Sequence, residues 1–111
     1  MLRAVYVRTL KPGVTDDEYA AAWMPEGVSR EDYPAEVLIS HSTTHERQTV
    51  TTFEIDVPAE DLLDALGALV HPDWRERVAA VVESTEIETI YEDTTAFGHA
   101  GSPHLPPGAS A

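Results

Sequence analysis

The chain contains no cysteine. That absence excludes disulfides, thiolate metal sites, thiol nucleophiles and thiol redox chemistry. It contains no asparagine either, and Lys11 is its single lysine. Positive charge is scarce throughout: 7 Lys and Arg stand against 20 Asp and Glu, a formal net charge of −13. Phosphate backbones and anionic membrane surfaces are held by clustered Lys and Arg, so neither a nucleic acid nor a membrane is an expected partner. Long apolar runs are also missing, and none nears the roughly 20 residues that cross a bilayer. Met1-Leu2-Arg3 opens a strand rather than a signal peptide, which points to a cytoplasmic protein. No Gly-rich phosphate loop is present, and Ser29, Ser40 and Ser42 lack the setting of a nucleophile elbow.

What is present reads as one α+β domain of ordinary length, 111 residues in all. Residues 2–10 (LRAVYVRTL) carry apolar groups on both parities, as a central strand covered on both faces does. Thr15 and Glu18 form a capping box for a helix whose Tyr19 and Trp23 lie four apart on one face, and Pro25 stops it. Residues 36–43 and 48–57 pair as strands about a turn at 44–47. Residues 59–70 are amphipathic through Leu62, Leu63, Leu66, Leu69 and Val70. His71-Pro72-Asp73-Trp74 interrupts that helix, with Pro72 placed to open a segment burying Trp74, Val78, Val81 and Val82. Residues 85–95 form the last strand, with Glu86, Glu88 and Glu92 expected on its wet face. Residues 98–111 are rich in Gly, Pro, Ser and Ala and hold Leu105 as their only large apolar group, so they read as a flexible tail beyond a domain of residues 1–97.

The order β-α-β-β-α-β is the ferredoxin-like plan, a four-stranded antiparallel sheet with two helices on one face. This order, the T-x-x-E cap of a helix ending in an aromatic, and a last strand reading Ile87-Glu88-Thr89-Ile90-Tyr91-Glu92 together resemble the dimeric α+β barrel superfamily. The resemblance covers residues 1–97 and is nearest to its antibiotic-biosynthesis-monooxygenase-like domains. It implies a homodimer in which two sheets pair face to face into a barrel. The composition supports the same expectation independently, because helices on one side of a sheet leave apolar groups on the other to be covered. The superfamily includes cofactor-free oxygenases of polyphenolic substrates and haem-degrading enzymes. The haem-degrading members use an Asn on the first strand with a Trp followed by a His. Here Tyr6 or Arg8 occupies that stretch, no Asn exists, and His71 precedes Trp74. No catalytic triad therefore carries over, and neither a cofactor nor a metal is expected.

The helix break supplies the candidate site. His71 is the candidate catalytic residue, a proton acceptor beside a small aromatic ligand bound by Tyr6, Trp23 and Trp74 in the cleft between sheet and helices. Against this, His71 could cap the C-terminal end of the 59–70 helix while Trp74 fills the core. His41 and His45 lie about 13 Å apart along an extended strand, too far to share a metal; His41 reads as a hydrogen-bonded sheet residue and His45 as a turn residue. Two functional readings follow. One is a non-catalytic dimer that binds a small ligand or serves as structure. The other is a cofactor-independent, monooxygenase-like enzyme acting on a small aromatic, polyketide-like substrate.

Overall fold

The computed structural model describes residues 1–98. Eight of its segments are regular. Strand β1 (Leu2–Leu10) is followed by helix α1 (Asp16–Trp23), then by strands β2 (Val37–His41) and β3 (Gln48–Ile55). A single 3-10 turn (Ala59–Asp61) leads into α2 (Leu62–Leu69), and α3 (Trp74–Val81) runs directly into β4 (Val82–Glu92). The strands form one sheet in the order β2-β3-β1-β4, with every neighbouring pair antiparallel. This is the expected α+β, ferredoxin-like topology, with the helices gathered on one face. Of the expected tail, residues 99–111 lie outside the described residues.

The local rules explain where most elements start and stop. Thr15 Oγ1 accepts from the Glu18 N–H while the Glu18 carboxylate accepts from the Thr15 N–H, so two of the unpaired donors at the start of α1 are satisfied. Met24 turns extended before Pro25, ending the helix. Leu62, Leu66 and Leu69 pack toward the sheet, whereas Leu63, expected among them, projects into solvent. It sits about 100° around the helix from Leu62, off the packed face.

Two expectations need correction. The C-terminal helical layer is two eight-residue helices, so three helices rather than two cover the sheet. Val70 is extended, Pro72 and Asp73 form a turn, and α3 begins only at Trp74, two residues beyond Pro72. β4 then starts at Val82 rather than at residue 85, because no connecting loop separates it from α3. The pairing of β4 with β1 slips between Val7 and Arg8 and again between Thr9 and Leu10. Glu86 is the extra residue at the first slip and Glu83 at the second, and together they move the register by two residues, so the parity of Val82 returns at Glu88. Glu88, Ile90 and Glu92 therefore share the helix-facing side, where Glu88 reaches Arg8, and Ile87 and Tyr91 are on the other face.

The core lies between sheet and helices. Leu2, Ala4, Tyr6, Arg8 and Leu10 alternate along β1 toward the helical layer, where Tyr19, Trp23, Leu69, Val78 and the β3 residues Phe53 and Ile55 meet them. Among the described residues, none covers the opposite face of the sheet. Val5 and Val7 of β1, Val50 of β3, Leu38 of β2 and Ile87 and Tyr91 of β4 share it, the last two and Leu38 being exposed.

Candidate functional site

Three of the four residues singled out in the sequence meet. Tyr6, Trp23 and Trp74 line one crevice between sheet and helices, together with Arg8, Tyr19, Thr51, Phe53 and Val70. Trp23 stacks on Phe53 with ring centres 6.3 Å apart, and Tyr6 lies 5.8 Å from the same ring. The crevice is nearly full. Its free volume is about 20 Å³, room for about one water.

His71 stands apart from that crevice. It is 9% exposed, and both ring nitrogens are engaged by other groups. Nδ1 accepts from the Asp73 N–H at 3.0 Å, and Nε2 lies between Arg77 Nη1 at 3.3 Å and the Glu26 carboxylate at 3.4 Å. The ring thus caps the start of α3 rather than the end of α2. Its backbone N–H donates to the Trp23 carbonyl at 2.8 Å, tying the break to the end of α1. His71 shapes the cleft through these contacts and lies outside the crevice that the aromatic rings line.

The polar centre of the crevice is Arg8. It is 3% exposed, in the middle of the sheet. Its Nη1 donates to the Tyr19 hydroxyl at 2.8 Å, its Nη2 to Glu88 Oε1 at 3.2 Å and its Nε to Thr85 Oγ1 at 3.4 Å. The guanidinium carbon sits 4.6 Å from the centre of the Tyr6 ring, 5.8 Å from Trp74 and 6.0 Å from Tyr19, so three π-faces surround one cation. Burial pushes the Tyr6 phenol above its usual range, which keeps it protonated at neutral pH. Beyond Arg8 the crevice gives way to an open groove of about 400 Å³ between α3 and β4, lined by Trp74, Arg75, Val78, Thr85 and Glu88. Arg75 lies over Trp74 at 4.5 Å and reaches the second oxygen of Glu88 at 3.7 Å. Two arginines therefore converge on one carboxylate beside an indole.

Arg8 was legible in the sequence only as a charge on the parity of Leu2, Ala4 and Leu10, an unusual place for one. Alternation puts Glu88 on the face of Ile90, but not beside Arg8, because the register of β4 on β1 is not written in either strand. Of the other histidines, His41 bonds the Asp16 carboxylate at 2.8 Å and His45 bonds Thr44 in the turn.

No protein-family model matches the chain, and no curated protein matches it in sequence. Among solved structures it superposes on "putative Antibiotic biosynthesis monooxygenase from Chloroflexus aurantiacus J-10-fl" with a TM-score of 0.54. The match covers 87% of this chain and 96% of that one at 13% sequence identity. The chain shares the fold of that structure. At that identity the likeness is one of backbone architecture, and the side chains of the crevice are read from this chain alone. Within this fold Arg8 and Tyr6 are on the first strand and Trp74 opens the last helix, so the central strand and the helix break supply the polar and aromatic groups together.

Proposed function

We propose that the protein is a cytoplasmic homodimer that binds a small aromatic anion and does not transform it. Arg8 carries this reading. Removing a guanidinium from water costs several kcal/mol, and an apolar side chain of similar volume would serve a central strand as well or better. Its one carboxylate partner, Glu88, is 34% exposed at the groove wall and can be replaced by a ligand oxygen from the open side. A carboxylate or phenolate there would take two N–H donors from Arg8 or Arg75, while its ring lies against Trp74. Tyr6 backs the cation, and Trp23 closes the far end of the crevice. The absence of turnover rests on the engaged nitrogens of His71, outside the crevice, and on the protonated Tyr6.

Titration with 2-naphthoate tests the site. The compound is expected to bind, and Arg8→Met is expected to weaken it roughly 10- to 100-fold, the loss of a charge-assisted hydrogen bond. Glu88→Gln is expected to tighten it by removing the competing carboxylate. Equal affinity in the Arg8→Met variant, or no binding at millimolar concentration, would exclude the site. The homodimer is supported by the six apolar side chains on the uncovered sheet face. Light scattering at micromolar concentration should give twice the chain mass of 12.1 kDa.

The name of the solved neighbour favours a second reading, a cofactor-independent monooxygenase acting on a small aromatic, polyketide-like substrate in the same cleft. Trp74 would have to swing outward to enlarge the crevice. Oxygen uptake with a dihydroxyanthrone, proportional to protein and lost in Arg8→Met, would replace the binding reading with this one.

A further inference from the structure

A second cavity, of about 340 Å³, lies between α1, the connection that follows it and β2. That volume is at the lower end for small-molecule pockets. Periodicity sets which side chains line it. Asp16, Ala20 and Trp23 recur at i, i+4 and i+7, so they share one face of α1. Val37 and Ile39 supply the wall from β2, and His41 continues their row, since all three pair with the helix-facing residues of β3. The two rows have matching ends. At one, Trp23 and Tyr33 meet edge-on with ring centres 5.7 Å apart. At the other, the Asp16 carboxylate reaches from helix to strand and bonds His41 Nε2 at 2.8 Å. The cavity is therefore apolar along its body and bounded at one end by a carboxylate.

The charges at that end leave Asp16 available. Arg30, also on the lining, is held by Asp17. The Tyr33 hydroxyl is committed to the Leu69 carbonyl. Asp16 is met by one imidazole nitrogen, whereas a carboxylate has about four lone-pair sites. Its side chain is 43% exposed, so a ligand reaches it from the open side of the cavity. The formal charge of −13 on the chain draws cations toward the surface and disfavours anions. We propose that this cavity binds a primary arylalkylamine, its ammonium on the Asp16 carboxylate and its ring over Ile39 toward Trp23. Two residues along a strand span about 6.6 Å, so Ile39 lies one such step from the His41 end, within reach of a ring on a two-carbon arm. The site is separate from the groove at Arg8 and selects the opposite charge.

The test is an NMR titration at neutral pH with 2-phenylethylamine, compared with 2-phenylethanol, which keeps the ring without the charge, and ethylamine, which keeps the charge without the ring. The amine is expected to move the backbone amide resonances of Ala20 and Ile39. Each control should bind at least about tenfold more weakly. Asp16→Asn should weaken the amine about tenfold and leave 2-phenylethanol unaffected, a split that a merely loosened cavity would not produce. Ile39→Phe should abolish binding of both ring compounds by filling the cavity, with circular dichroism unchanged. The inference is overturned if 2-phenylethylamine does not bind at millimolar concentration, or if it moves resonances only outside the cavity. It is also overturned if either control binds as tightly as the amine, or if Asp16→Asn leaves the affinity for the amine unchanged.

Discussion

Tyr19→Ala is expected to destabilise the protein by at least about 4 kcal/mol, which is most of the stability of a domain of ordinary size. Tyr19 is fully buried, at the junction of α1 with the sheet. Removing an aromatic ring from such a place costs about 3–5 kcal/mol through lost burial and the cavity that remains. A second cost adds to it. The Tyr19 hydroxyl accepts from Arg8 at 2.8 Å, so truncation also leaves a buried guanidinium short of a partner. Tyr19→Phe keeps the ring and removes only the acceptor, and should cost about 1–3 kcal/mol. Urea unfolding of the three proteins measures both terms. A loss under about 2 kcal/mol for Tyr19→Ala would mean that Arg8 is solvated and that the crevice is not a closed core.

Val7→Asp is expected to convert the proposed homodimer into monomers, raising its dissociation constant at least about a hundredfold. Val7 lies at the centre of the uncovered face, paired across to Val50 on one side and Ile87 on the other. In a two-fold arrangement each substitution occurs twice, and each would bury a carboxylate among the apolar groups of this face. In the separate chain the position is half-buried, so folding should lose only about 1 kcal/mol. Light scattering reads the mass and thermal unfolding the fold. A variant that stays dimeric would place the interface elsewhere than on the sheet face.

Much of the architecture was legible because it depends on local chemistry. The capping box at Thr15 and Glu18, the Pro25 stop and the β-rich run of β1 each act within a few residues, and each element appears where those signals stand. The aromatic lining was legible for the same reason: Tyr19 and Trp23 are four apart on one helix, so both must face the sheet that covers them. His71 drew notice through its neighbours Pro72 and Trp74. Its role was not legible, because an imidazole beside a helix break serves equally well as a base and as a cap. The choice was made by Asp73, whose N–H occupies Nδ1, and by Glu26, 45 residues away in sequence, which faces Nε2.

By itself, then, the sequence determined the order of strands and helices, the antiparallel ferredoxin-like plan and the aromatic character of the cleft, because periodicity, caps and breakers are short-range and act on the chain as it stands. Only the tertiary structure decided which polar groups share the cleft. Arg8 and Glu88 are 80 residues apart, and they meet because the register of β1 with β4 sets Glu88 opposite Tyr6 on the helix-facing side. Two unpaired residues in β4 leave the parity of Glu88 as alternation has it but move it along β1, and their positions are set by the register between the strands rather than by the composition of either.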